Sequence, residues 1–380
     1  MKVSMLCGAH YEGAAAHLNV PPVAPSVCDP AIAKQSFDHF LEYAAMADEL
    51  GFDWISVSEH HSSPLILSSS VMPLAGALTQ IVKRARIALL GPLAPLSNPI
   101  RTAEEIAVLD QLSSGRLVVL PLRGTPNEFN VYVPVEGTKT QGMTQEASRL
   151  IRKALSEPEP FAWEGEYYHF PRVAVWPRTI QQPHPPMYFS GNSLNSALFA
   201  ARDHLGLCLS FHQPAVVADT VAQYKAEAAR AGWEPTSDDI LYRGFAVVAD
   251  TDEKAAEIES IFLPAPLRFL LKGPVPGPTD AFGAPGSPGP DNGHGPNSGP
   301  VPYGVGRMLF SGSPDTVVKQ IEAFHAATGV GVIDIVFSSG QNPPEDIRRS
   351  IELFGREVLP RVRDVGAVSQ TRAAAGGLST

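Results

Sequence analysis

Short apolar runs and longer amphipathic segments alternate along almost the whole chain, and this alternation limits the fold more than any other feature. Val3–Cys7, Trp54–Ser58, Arg86–Leu90 and Leu117–Leu120 read as the first four strands. Met187–Ser190, Leu205–Ser210, Leu241–Val248 and Val332–Phe337 read as the other four. Between them the apolar residues recur at helical spacing. In Ala31–Leu50 they are Phe37, Phe40, Leu41, Ala44 and Ala47, and Gly51 stands ready as a left-handed stop. Further helices are expected over Val71–Val82, Arg101–Leu112, Gln141–Leu155, Asn195–Asp203, Val216–Ala231, Asp252–Phe262, Pro314–Thr328 and Pro344–Leu359. The segment 163–170 reads as a small surface hairpin. Runs such as Leu117–Leu120 are apolar throughout, as strands covered on both faces are. Eight strands interleaved with helices predict a closed (β/α)8 TIM barrel rather than an open doubly wound sheet.

One segment interrupts the pattern. From Gly273 to Gly306, 19 of 34 residues are Gly or Pro, which no helix or sheet ladder accommodates. Because a βα unit follows it, the segment reads as a lid-like insertion within one domain spanning 1–363. Residues 364–380, rich in Ala, Gly, Ser and Thr, read as a disordered tail.

Composition excludes several partners. The net charge of −10 and the lack of a basic run argue against nucleic acid or an anionic membrane surface. No apolar run is long enough to span a bilayer, and the N-terminal apolar stretch turns polar too soon for a secretory leader. Cys7, Cys28 and Cys208 form no metal-ligand spacing with the eleven histidines, so three reduced thiols in a cytoplasmic protein are expected and no metal. No GxGxxG, GxxxxGK[ST] or GxSxG motif occurs, which removes the usual nicotinamide, triphosphatase and serine hydrolase sites.

In such a barrel, chemistry gathers just after each strand. After the second strand come Glu59, His60 and His61, ionisable residues too costly to bury for packing alone. A histidine there suits proton transfer near neutrality, with Glu59 or His61 fixing its tautomer; a structural histidine is the alternative. After the fourth strand, Arg123 offers a rigid fork of donors, with Gly124 leaving room for a ligand. A salt bridge from Arg123 to an acid such as Glu128 is an equal alternative. After the fifth strand, Ser190, Gly191, Asn192, Ser193 and Ser196 lead into a helix N-terminus, an arrangement that suits phosphate or serves as an ordinary cap. After the sixth, Ser210 and Phe211 wall a planar ring or simply pack.

The stretches GFDWISVSEHH, NPIRTAEEIAVLDQLSSGRL and LRG, with SGSPDTVVKQIEAFHAATGV near the end, resemble the bacterial-luciferase-like flavin-dependent monooxygenases. The resemblance implies a TIM barrel that holds FMN non-covalently, reduced FMN coming from a separate flavin reductase. It implies O2 chemistry through a C4a-hydroperoxyflavin on a small organic substrate, and a homodimer is expected. By this resemblance His60 matches the family's catalytic histidine and Arg123 its phosphate-binding arginine. Ser193 and Ser196 match hydroxyls around the phosphate. Leu90 and Gly91 fall where the family carries a non-proline cis peptide beside the ring. Leu122 stands where luciferases have a reactive cysteine, which removes the ground for light emission but not for flavin binding. Two other readings accompany this one: a deazaflavin-dependent oxidoreductase of the same superfamily, and a non-catalytic flavin-binding subunit, against which His60 speaks.

Overall fold

A computed structural model describes residues 1–14, 23–62, 64, 66–124, 128, 139–262, 309–338 and 342–365. The 273–306 insertion and nearly all of the 364–380 tail lie outside them.

The strands are β1 (Lys2–Leu6), β2 (Trp54–Val57), β3 (Arg86–Leu93), β4 (Leu117–Leu122), β5 (Phe161–Glu164), β6 (His169–Val173), β7 (Tyr188–Ser190), β8 (Gly206–Ser210), β9 (Ile240–Val248), β10 (Leu309–Gly312) and β11 (Val332–Val336). Eight of them run in the order β4-β3-β2-β1-β11-β9-β8-β7, and the pairings are parallel. A bridge between Val119 and Met187 joins the two ends of the row, so the sheet closes into the expected barrel. The hairpin of β5 and β6 stands apart.

Helices cover the outside: α1 (Pro30–Leu50), α2 (Val71–Ile81), α3 (Pro99–Leu112), α4 (Thr140–Ser156), α5 (Leu194–Arg202), α6 (Pro214–Arg230), α7 (Asp252–Phe262), α8 (Pro314–Thr328) and α9 (Pro344–Leu353). Local chemistry sets their ends. Asp29 caps α1 by accepting from the Ala31 N–H at 2.8 Å, Pro30 supplies a preset first turn, and Gly51 ends the helix at φ 91°. Asn98 and Pro99 start α3 in the same way. Asp48 then ties α1 to the approach to β3: its carboxylate accepts from the backbone N–H groups of Lys83, Arg84 and Ala85 at 2.7–3.0 Å.

Three details differ from the sequence expectation. β10, between the Gly/Pro-rich segment and α8, had no strand signal; it is four residues long and pairs with the end of β9 from Phe245 to Val248. β3 runs on past Gly91 to Leu93, with a register shift that lets Gly91 and Pro92 pass through it. The last helix is not continuous to Leu359: a π turn occupies Phe354–Val358 before α10 (Leu359–Arg363). Pro360 has no N–H to return to the preceding turn, and Gly355 packs closely on the Leu50 side chain of α1.

Strand alternation divides the core. Outward residues such as Ile55, Ile87 and Val119 pack under the helices. Inward residues, among them Trp54, Ala88, Leu120, Tyr188 and Leu241, fill the lower barrel as an apolar plug. This plug leaves the C-terminal ends of the strands as the place where polar side chains gather.

Candidate active site at the barrel mouth

The β2 end delivers Glu59, His60 and His61 to the mouth. Glu59 and His61 are both buried, and His61 Nε2 lies 3.1 Å from Glu59 Oε1, so they satisfy each other. His60 is half-exposed, and its partner is neither of these neighbours. Its Nδ1 lies 3.2 Å from Oε1 of Glu128, a buried residue beyond β4. The expectation that Glu59 or His61 orients His60 is therefore replaced: the closest acid in sequence is engaged by His61, and a residue 68 positions away does the work. A carboxylate at Nδ1 accepts a hydrogen bond from the Nδ1–H, which keeps the proton on that nitrogen and leaves Nε2 for a ligand.

Gly91 lies behind this loop. Its φ is 130°, and a Cβ there would come within 3.2 Å of the Glu59 backbone nitrogen, so only glycine lets β3 pass so close. The family's cis peptide is not present at Leu90–Gly91; the cis bonds of the described residues are Trp176–Pro177 and Gln182–Pro183. Leu90 points inward and is buried in the plug.

Arg123 stands at the end of β4, half-buried, and burial pulls its pKa below the ordinary arginine value. A partly dehydrated guanidinium is a strong site for an anion. Across the closing seam, β7 ends in Ser190 and the chain enters α5. Ser193 caps α5: its Oγ accepts from the Ser196 N–H at 3.3 Å and lies 2.9 Å from Ser196 Oγ, which also accepts from Gln141 Nε2 at 3.1 Å. The N-cap alternative is therefore realised here, and it sets two hydroxyls beside the positive end of the helix. Gly191 is buried against the Leu207 side chain. Asn192 Oδ1 accepts from the Ser210 N–H at 2.8 Å, tying the β7 and β8 ends together.

Phe211 follows Ser210 with φ 61°, an uncommon conformation for an aromatic residue. Its ring stacks on Phe245 at 4.7 Å, and its N–H donates to Arg243 O at 2.9 Å. Strain held this firmly beside a strand end marks a shaped wall. Cys208, one level below, is buried, and its thiol is pushed up to about 12 by that burial, so it stays protonated.

Sequence reading missed two parts of the mouth. It offered Glu128 only as a salt-bridge partner for Arg123, whereas the contact of Glu128 with His60 comes from the fold. The second is an inner polar cluster. Asp334, fully buried on β11, accepts from Ser4 Oγ at 2.6 Å, Ser56 Oγ at 2.7 Å and Arg243 Nε at 2.7 Å. Its signal was present in the sequence: an Arg in ILYRGFAVV and an Asp in VIDIVF, each inside an otherwise apolar run. Among the described residues, no group of three His, Cys, Asp or Glu is placed to hold a metal ion, and no helix is long and apolar enough to cross a membrane.

Comparison with known proteins agrees with this architecture. The model of the luciferase-like monooxygenase family matches residues 16–331. The oxygenase component of the flavin-dependent trigonelline monooxygenase of Acinetobacter baylyi is 28% identical over 178 residues, covering 47% of this chain and 49% of that protein. The chain thus matches about half the length of that relative. The oxygenating constituent of 3,6-diketocamphane monooxygenase from Pseudomonas putida, solved with FMN, superposes with a TM-score of 0.69 at 22% identity, over 95% of this chain and 98% of that one. An F420-dependent secondary alcohol dehydrogenase, solved with an F420–acetone adduct, superposes at 0.70 and 20% identity, over 96% and 99%. At these identities the two structures establish the fold.

Proposed function

Because the chain belongs to the luciferase-like monooxygenase family, we propose that it is the oxygenating component of an FMN-dependent monooxygenase. Reduced FMN, supplied by a separate reductase, would provide when bound the two electrons with which one oxygen atom of O2 goes to a small organic substrate and the other leaves as water. The observation that carries this reading is the division of the mouth into two ends. Arg123 follows β4 and the Ser193–Ser196 start of α5 follows β7, and these two strands meet at the closing seam, which supports a phosphate site there. His60, oriented by Glu128, serves the reacting end.

In this reading Arg123 and the α5 start bind the phosphate, and Phe211, Leu90 and Gly91 wall the ring. His60 holds or supplies a proton through Nε2 while Glu128 keeps Nδ1 protonated. Glu59 and His61 stiffen the loop that presents His60, and Asn192, Ser190, Gly191 and Ser210 shape the opposite rim. The protein works in the cytoplasm as a homodimer and meets its reductase transiently. Stopped-flow mixing of the protein with reduced FMN and O2 tests the reading by the appearance of a flavin–oxygen adduct before oxidised flavin.

The F420-dependent neighbour of the same fold supports a second reading, hydride transfer with a deazaflavin and no oxygen chemistry. Parallel titration with reduced FMN and reduced F420 separates the two.

A further inference from the structure

Two buried polar atoms inside the barrel have no hydrogen-bond partner among the described residues: Ser58 Oγ and Arg243 Nη2. Arg243 lies on β9 and Ser58 directly follows β2, each in line with the inward alternation of its strand. Trp54 and Ser56 of β2 face the barrel interior, and Ser58 is the next inward position toward the mouth, roughly 6.6 Å beyond Ser56. Ser58 is 2% exposed. Arg243 pairs in register with Asp334 on one side and Ser210 on the other, so it lies on the level immediately under the rim. Its Nε is spent on Asp334, whose other oxygen is held by Ser4 and Ser56. The charge of Arg243 is thus balanced and its position fixed, while Nη2 keeps a proton with nowhere in the protein to go.

A buried donor left unmatched costs about 1–3 kcal/mol, and native cores rarely tolerate one without a use. Two on one inner wall, one of them braced by a four-residue network, form a preorganised donor pair. We propose that Ser58 Oγ and Arg243 Nη2 donate hydrogen bonds to an acceptor oxygen, carbonyl or anionic, of the ligand seated in the mouth. That oxygen has two possible carriers: the pyrimidinedione edge shared by flavin and deazaflavin, or an oxygen-bearing organic substrate. The strand order favours neither chemically but fixes the place. Ser58 follows β2 and Arg243 lies on β9, each strand two places from the β4–β7 seam on opposite sides, so the donors approach the ligand from the two flanks of the wall formed by β1 and β11. This assignment rests on the functional reading above and adds a contact to it.

Two variants test it. Ser58→Ala removes a hydroxyl that has no hydrogen-bond partner among the described residues. Arg243→Gln/Asp334→Asn removes the guanidinium while leaving a neutral pair for Ser4 and Ser56. Each is compared with wild type for thermal melting without ligand. Each is then titrated with reduced FMN and with reduced F420, and, once flavin-loaded, with cyclohexanone and with hexanoate. The assignment predicts that Ser58→Ala melts no lower than wild type yet binds one of these probes about three- to tenfold more weakly, and that the double variant binds the same probe about tenfold more weakly or worse. Loss on reduced FMN or F420 alone assigns the oxygen to the cofactor; loss only on cyclohexanone or hexanoate assigns it to the substrate. Unchanged affinity for all four probes overturns the assignment, as does a lower melting temperature for Ser58→Ala, which would make the hydroxyl a structural group. Wild type that binds neither reduced cofactor contradicts the functional reading instead, and the two organic probes then decide the assignment on the cofactor-free protein.

Discussion

His60 Nδ1 and Glu128 Oε1 lie 3.2 Å apart across the barrel mouth, joining the end of β2 to the chain beyond β4. Glu128 is buried and His60 half-exposed, so the acid is set behind the imidazole and the imidazole faces the opening. In the proposed function this geometry fits His60 as the proton-handling group and Glu128 as its positioning residue. His60→Ala is expected to lose product formation by about 10²–10⁴-fold with little change in melting temperature or FMN affinity. Glu128→Gln is expected to lose about tenfold, the order of one charge-assisted hydrogen bond. Turnover per folded molecule, measured with melting on the same samples, checks both. Equal turnover in His60→Ala and wild type would remove His60 from the reaction.

Arg123 makes a separate prediction about the other end of the site. If it binds a phosphate, the protein prefers FMN over riboflavin, and Arg123→Ala abolishes most of that preference. A charge-assisted contact is worth about 1.5–3 kcal/mol, so FMN affinity should fall roughly tenfold or more while riboflavin affinity stays nearly constant. Equal binding of FMN and riboflavin by wild type would show that Arg123 serves another purpose.

Asp48 gives a stability prediction. Burial raises its pKa, but the three backbone N–H bonds from Lys83, Arg84 and Ala85 outweigh this and hold it below the ordinary aspartate value. A carboxylate depressed on folding adds stability that is complete above the unfolded value of about 3.9 and is lost as pH falls through the lower folded value. Asp48→Ala leaves three N–H groups unmatched and should cost about 3 kcal/mol near neutrality. Urea unfolding of both proteins across pH should give a constant difference between about pH 5 and 8 that shrinks below about pH 4. A difference that stays constant down to pH 2 would contradict the role of the ionised carboxylate.

Much of the barrel was readable because βα units announce themselves locally. The Phe37–Ala47 spacing, the Gly51 stop and the run from Leu117 each follow from short-range chemistry, and their helices and strands match within a few residues. β10 escaped because four residues beside a Gly/Pro-rich segment carry no periodicity and are ordered by pairing with β9. At the mouth, strand ends located Glu59, His60, Arg123 and Ser193, since polar residues after an apolar run stand out, and Phe211 by its position directly after a strand. What strand ends cannot reveal is who touches whom. Glu59 lies next to His60 yet bonds His61, and Glu128 reaches His60 from a distant segment. The Arg243–Asp334 pair was visible as two charges inside apolar strands, but its meaning required the register that sets them side by side.

An oxygenating flavin site is tested by rapid mixing of the protein and anaerobic reduced FMN with O2-saturated buffer, followed by absorbance and product analysis. The expected result is a transient flavin–oxygen species that forms before oxidised FMN appears and persists longer in wild type than in His60→Ala. Reduced FMN that oxidises with no transient and at the rate of free flavin, in a protein that binds reduced F420 tightly, would contradict it.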